Sequence, residues 1–243
     1  MSYQVILFDA DDTLFDYAKS ELHALEHAFI EMGMECNSAY VESYRVINQQ
    51  LWREFETGLI KLDLLRTERF RRLFTVHQPD ITIDAEQFSH TYLKYLGEGS
   101  FVLDGAVSVC SYLLANGYRI AVITNGIKVV QFERINRSEL SNSFEQIIVS
   151  EDAGFQKPNK GIFDYAFNKL NIQDKSSVLI VGDSLSSDIQ GGINYGIDTC
   201  WFNPHRKINA SGIQSTYEIH KLEELLAILG EDYHLAGGKK STP

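Results

Sequence analysis

The stretch Val5-Ile6-Leu7-Phe8-Asp9-Ala10-Asp11-Asp12-Thr13 joins four consecutive apolar residues to a cluster of three carboxylates. An apolar run without helical spacing predicts a strand buried on both faces, as in a parallel sheet. Ligands of open α/β sheets sit at the carboxyl ends of strands, so Asp9 and Asp11 stand where a site is expected. Two residues apart in an extended segment, they project to the same side, and their repulsion in a dehydrated cleft asks for a cation between them. Oxygen donors select a hard ion such as Mg²⁺. Taken alone, the stretch also fits an acidic turn in which Asp12 or Thr13 caps a helix. It does not fit a calcium loop of the D-x-D-x-D-G kind, because Leu14 stands where glycine is required.

Downstream of Phe15 the period changes. Leu22, Leu25, Phe29 and Met32 form one helical stripe, and Tyr44, Ile47, Leu51 and Phe55 a second. Leu62, Leu65 and Leu73 make a third, and Phe88, Tyr92, Leu93 and Leu96 a fourth. Breaks at Gly33, Gly58 and Pro79-Asp80 separate them, which predicts an all-helical insertion over 16–99 with short connections. From Phe101 strand and helix alternate again. The expected series is a helix over Gly105–Ala115, strand Arg119–Thr124, a helix from Lys128, strand Phe144–Val149 and a helix opening at Pro158. Strand Ser177–Gly182, a helix from Ser187 and strand Asp198–Phe202 follow. Right-handed crossovers make this a doubly wound parallel sheet, an α/β core formed by 1–15 and 100–235, with its first strand separated from the rest by the insertion. Leu222–Leu229 reads as a short terminal helix and 236–243 as a disordered tail.

Composition narrows the classes of function. A formal net charge of −11 argues against a polymeric nucleic acid as partner, since that binding rests on clustered Lys and Arg. Cys36, Cys110 and Cys200 are widely spaced and form no C-x-x-C pattern, so neither a disulfide framework nor a zinc site is indicated. No membrane segment is expected, and the reading is a cytoplasmic protein acting as monomer or homodimer.

Three further strand ends carry polar groups. Ile120–Ile123 delivers Thr124 and Asn125, a hydroxyl and an amide that can bind phosphate oxygens at a helix start, although T-N-G is also plain turn chemistry. Lys157 precedes Pro158, where an ammonium can neutralise an attacking carboxylate and a phosphate oxygen together. Val178–Val181 ends in Gly182-Asp183-Ser184, with Asp188 five residues beyond Asp183. Asp183 can supply a further acidic ligand to the cation, and Thr13 and Asp188 can brace the site from behind.

Asp9-Ala10-Asp11-Asp12-Thr13, Thr124-Asn125-Gly126, Lys157-Pro158 and Gly182-Asp183-Ser184-Leu185-Ser186-Ser187-Asp188 together resemble the four motifs of the haloacid dehalogenase superfamily of phosphohydrolases, over about Tyr3 to Phe202. The resemblance implies a Rossmann-like core with a helical cap inserted after the first motif. Leu51-Trp52, Lys157-Pro158-Asn159-Lys160, Ile162-Phe163-Asp164-Tyr165-Ala166 and Gly191-Gly192-Ile193-Asn194 are further similar to the bacterial pyrimidine 5′-nucleotidase branch, with Asp12 in place of that branch's glutamate. What it implies is a Mg²⁺-dependent phosphomonoester hydrolase acting on a nucleoside monophosphate through an aspartyl-phosphate. Asp9 would be the nucleophile and Asp11 the proton donor and acceptor, with its backbone carbonyl on the metal. Lys157, Thr124 and Asn125 would hold the phosphoryl oxygens, and Asp183 the metal. The cap would close over the leaving group. Read from the residues alone, Tyr17, Tyr44, Trp52 and Phe55 at helical spacing fit the cap's own core, and Trp52 is the one of them to test as a base-stacking residue.

Phosphatases or phosphomutases of small sugar phosphates share this core. A dehalogenase would leave Asp11 idle, and a P-type ATPase needs membrane helices. A receiver-like phosphoaspartate signalling domain carries a similar acidic cluster but has no use for the insertion. His23-Ala24-Leu25-Glu26-His27 matches the H-x-x-E-H zinc pattern, against which stands an ordinary polar helix face. His77, His90, His205, His220 and His234 form no cluster in the sequence.

Overall fold

The computed structural model describes residues 3–79 and 82–230. Strand β1 (Val5–Phe8) is buried along its whole length, as an apolar run facing helices on both sides must be. Four helices follow: α1 (Tyr17–Glu31), α2 (Ser38–Glu56), α3 (Leu62–His77) and α4 (Ala85–Glu98). The chain continues through α5 (Ala106–Ala115), β2 (Arg119–Thr124), α6 (Lys128–Arg137), β3 (Ile147–Val149), α7 (Ser150–Ala153) and α8 (Lys160–Lys169). It then runs through β4 (Val178–Gly182), a π-helical turn at Leu185–Ile189, α9 (Gln190–Tyr195), β5 (Asp198–Phe202), β6 (Tyr217–Ile219) and α10 (Glu224–Ile228).

The strands form one six-stranded sheet in the order β3-β2-β1-β4-β5-β6, and every pair is parallel. β1 is therefore central, in register with β2 (Phe8 opposite Val122) and with β4 (Phe8 opposite Val181). The strand order reverses beside β1, which is where a parallel sheet leaves a crevice for ligands. One core layer joins Val5, Leu7, Ile123 and Ile180 to Phe163 and Phe167 of α8. Burying each such side chain contributes about 1.5–3 kcal/mol.

The chain divides into two compact units. The core unit comprises the residues up to Leu14, 102–125 and 142 onward, and the helical unit comprises Phe15–Phe101 with Gly126–Ser141. Helix α6 follows β2 in the chain, yet it groups with the four inserted helices, because Ile127 and Val130 pack into their core beside Phe88 and Tyr92.

Several boundaries depart from the sequence expectation for local reasons. Helix α1 is capped by Asp16, whose side chain accepts from Lys19 N, so Asp12 and Thr13 are not helix caps. Helix α8 opens at Lys160 rather than Pro158, because Asn159 caps it by accepting from Gly161 N. Strand β3 is shorter than Phe144–Val149, although Glu145 N still donates to Ile120 O and Val122 N to Gln146 O outside the regular ladder. The helix expected from Ser187 starts earlier and as a π turn, since Ser184 O accepts from both Asp188 N and Ile189 N. Strand β6 was not anticipated: its three residues are too short to show a period. The terminal helix is trimmed to Glu224–Ile228, and the expected tail at 236–243 lies outside the described residues.

Candidate active site

The site lies wholly in the core unit, at the carboxyl ends of β1, β2 and β4. Asp9 directly follows β1, and its backbone N donates to Val181 O on the adjacent β4, fixing it to the sheet. Thr124 closes β2 and is buried, and Asn125 follows it. The Asn125 amide grips the backbone of Lys157 at both ends: Oδ1 accepts from Lys157 N at 2.8 Å, and Nδ2 donates to Lys157 O at 2.9 Å. Ser150, at the start of α7, donates its hydroxyl to Asn125 O.

So held, the Lys157 side chain is buried and its ammonium has three partners. It lies 2.6 Å from Asp9 Oδ1 and 2.7 Å from Asp188 Oδ1, and it donates to Ile123 O at 2.6 Å. Burial opposes its charge, but Asp188 and Asp9 outweigh burial and hold its pKa above the ordinary lysine value. Asp188 is itself completely buried at the end of the π turn, where Ser184 N donates to its Oδ2 at 3.0 Å and the Ser187 hydroxyl reaches its Oδ1. A Cβ at Gly182 would collide with the Asp188 carboxylate, so only glycine lets that carboxylate approach the end of β4.

Carboxylate oxygens of Asp9, Asp183 and Asp188 lie within 4.8 Å of one another. Three carboxylates around one ammonium leave an excess of negative charge in a buried place. Burial pushes the Asp9 pKa up to about 7; Lys157 draws it down, and Asp188 raises it again. Burial likewise lifts Asp183 well above the usual carboxylate range, with Asp188, Asp9 and Asp12 adding to the effect and Lys207 opposing it. A donor set of oxygens with uncompensated negative charge fits a hard divalent cation.

Of the residues expected from sequence, Asp9, Lys157, Asp183 and Asp188 come together directly. Asp188 stands inside the cluster and contacts the lysine, closer than a residue bracing the site from behind. Asp11, just beyond Asp9 in the chain, is half-buried and is not one of the three clustered carboxylates. Thr13 is fully buried, and its hydroxyl has no hydrogen-bond partner among the described residues. Gly182 and Ser184 stand in the motif read from the sequence but without a role there, and the sequence gives no sign of Trp201, whose indole donates to Asp183 O at 2.8 Å. Glycine just before an acid at a strand end was the one signal for Gly182.

In the helical unit, Trp52 is half-buried edge-on to Phe55, and Tyr44 sits inside the aromatic core against Phe70 and Tyr92. His27 Nδ1 is bonded to His23 O, and among the described residues the His23–His27 pair gathers no third ligand.

Residues 6–202 match the sequence family described as haloacid dehalogenase-like hydrolase. The chain belongs to that family. Among solved structures, the HAD-hydrolase YfnB of Bacillus subtilis, bound to magnesium, superposes with a TM-score of 0.87 at 39% identity, covering 94% of this chain and 99% of that one. Pyrimidine 5′-nucleotidase YjjG of Escherichia coli is 33% identical over 94% of this chain and 99% of its own length. Pyrimidine 5′-nucleotidase PynA of Streptococcus pneumoniae is 34% identical over 96% and 97%. Membership of this hydrolase family sets aside the receiver-like reading, and among the described residues no helix is long and apolar enough to cross a membrane.

Proposed function

We propose that this hydrolase cleaves phosphate monoesters, most specifically those of nucleoside monophosphates, through a phosphoryl group carried transiently on Asp9. The observation that carries the reading is the Lys157 ammonium 2.6 Å from Asp9 Oδ1 inside a buried group of carboxylates. A carboxylate is a modest nucleophile toward a dianion, so the lysine must offset the repulsion between them. Asp9 and Asp183 would hold Mg²⁺, with the Asp11 backbone carbonyl and Asp188 beside them; when bound, the ion supplies charge neutralisation at the phosphoryl oxygens.

In the first step an Asp9 carboxylate oxygen forms a bond to phosphorus while the ester P–O bond breaks, and Asp11 donates a proton to the leaving oxygen. In the second, Asp11 takes a proton from water, whose oxygen displaces Asp9 and releases inorganic phosphate. Thr124 would donate its hydroxyl to the transferring oxygens. Asn125 would serve through its backbone N–H, because its side chain is committed to placing Lys157.

The nucleotide preference rests on the likeness to the two pyrimidine 5′-nucleotidases. A second reading, hydrolysis of a small sugar phosphate, is favoured by 32% identity to a glyceraldehyde 3-phosphate phosphatase of Pyrococcus abyssi. Phosphate release from nucleoside monophosphates, sugar phosphates and phosphoglycolate, with Mg²⁺ or with EDTA, separates the two. The expected result is Mg²⁺-dependent release favouring pyrimidine monophosphates, reduced by roughly 10³-fold or more in Asp9→Asn. Preference for sugar phosphates would keep the chemistry and replace the substrate; release undiminished in Asp9→Asn would reject the nucleophile.

A further inference from the structure

The Lys157 ammonium pairs with two of the three clustered carboxylates, those of Asp9 and Asp188, whereas Asp183 is placed through its backbone. Asp183 directly follows Gly182, the last residue of β4, which stands opposite Trp201 of β5. The peptide group between Asp183 and Ser184 is held at both ends. Its carbonyl, Asp183 O, accepts from Trp201 Nε1 at 2.8 Å, and its N–H, Ser184 N, donates to Asp188 Oδ2 at 3.0 Å. A peptide group is planar, so turning the carbonyl away from the indole would swing the N–H away from Asp188 as well. One rigid plate therefore joins the tryptophan to two of the carboxylates. It carries the Cα of Asp183, and it bonds the carboxylate of Asp188, whose Oδ1 lies 2.7 Å from the Lys157 ammonium. A carbonyl that accepts a hydrogen bond also polarises its own N–H, which strengthens the bond on the far side of the plate. The indole is suited to fix it. Trp201 is 5% exposed, projects from a strand held in ladder register, and carries a single donor and no acceptor. Breaking its bond to Asp183 O would leave that donor buried and unmet.

We propose that Trp201 is a positioning residue of the site: through the Asp183–Ser184 peptide it holds the carboxylates of Asp183 and Asp188 in the arrangement that binds a divalent cation. The inference deepens the phosphatase reading and rests on it for the place of Mg²⁺. Groups that orient metal ligands without touching the metal set its affinity by about ten- to a hundredfold. Trp201 acts through the main chain rather than on a carboxylate itself, so its share belongs at the lower end of that range.

Mg²⁺ titrated calorimetrically into the full chain, without substrate, tests this directly. Trp201→Phe keeps a ring and loses the N–H; it is expected to weaken Mg²⁺ binding about tenfold and to raise the Mg²⁺ concentration for half-maximal turnover of p-nitrophenyl phosphate by a similar factor. Cys200→Ala trims a buried side chain of the same strand and should keep the Mg²⁺ affinity within about twofold of the wild type. If Trp201→Phe fails to fold, a benzothienyl ring in place of the Trp201 indole keeps the bicyclic shape and lacks only the donor. Introduced in a Trp52→Phe background, which removes the chain's other tryptophan, it should show the same loss. Unchanged Mg²⁺ affinity in Trp201→Phe or in the benzothienyl protein, or an equal loss in Cys200→Ala, would overturn the proposal. Turnover by the wild type separates this inference from the reading beneath it. Wild-type turnover with Trp201-independent Mg²⁺ affinity removes the positioning role and leaves the phosphatase, whereas Trp201-dependent Mg²⁺ binding without turnover of any ester does the reverse.

Discussion

Both units bury cations, and Lys157 in one and Arg69 in the other are treated in opposite ways. In the core unit, Lys157 is surrounded by more carboxylate than it can neutralise. In the helical unit, Arg69 is 1% exposed and has no carboxylate partner among the described residues. Its Nη1 donates to Tyr44 OH at 3.1 Å, and its guanidinium lies 4.7 Å from the centre of the Tyr92 ring and 5.1 Å from that of Phe70. Aromatic faces and a phenol disperse the arginine charge and make it part of the packing. The lysine is embedded in a field that asks for further positive charge. Burial of a charge alone therefore does not mark a catalytic group; the imbalance around it does.

The contrast is broken or sharpened most strongly by removing each cation in turn. Lys157→Met should lower turnover by roughly 10³-fold or more and destabilise the metal-free protein by about 3–5 kcal/mol, because it strands Asp9 and Asp188. Arg69→Met should cost about 1–3 kcal/mol in a urea melt while leaving turnover of p-nitrophenyl phosphate within about twofold. An Arg69→Met protein with an unchanged urea midpoint and a hundredfold loss of turnover would break the distinction.

A smaller effect is expected from Gly182→Ala. The added methyl displaces the Asp188 carboxylate, so turnover should fall about a hundredfold and the Mg²⁺ requirement rise, measured by activity against metal concentration. The mildest test uses pH. With the Asp9 pKa raised from 3.8 to about 7, the folded metal-free protein takes up a proton that the unfolded chain does not hold in that window. Its contribution to stability is thus present at the acid end and is lost as the pH rises toward about 7, where the buried carboxylate must ionise. Mg²⁺ competes with that proton, so its affinity should fall by up to about tenfold per unit below about pH 7, as read by calorimetry. A Mg²⁺ affinity independent of pH between 5 and 7 would show that Asp9 is not a ligand.

Much of this was legible in the chain. β1, β2, β4 and β5 are apolar almost to their ends, and each break in pattern coincides with a polar residue that the fold then uses. Asp9 and Asp183 could be named because strand ends are fixed points, and Lys157 because it stands before Pro158 at a helix start, although α7 separates it from β3. Asp188 could be named but not placed, since nothing in Leu185-Ser186-Ser187 announces the π turn that carries its carboxylate to the lysine. The double role of Asn125 toward Lys157 spans a separation of 32 residues and has no local signature. Asn203, whose buried amide bonds both Lys207 N and Lys207 O, is hidden for a related reason, because Asn-Pro after a strand reads as an ordinary turn whether or not its amide is buried. The attachment of α6 to the inserted helices was invisible because an amphipathic helix does not declare which apolar surface it will cover.

The central place of β1 has a consequence for biosynthesis. The strand that carries Asp9 precedes both of its neighbours, which begin only at Arg119 and Val178. At ribosomal rates of roughly 5–20 residues per second, on the order of ten to thirty seconds separate the emergence of β1 from that of β4. Through that interval an entirely apolar segment ending in acids has open edges, while the helices that follow it can already collapse locally. The nascent chain thus carries Asp9, the proposed nucleophile, earliest and completes the surroundings that would make it reactive late.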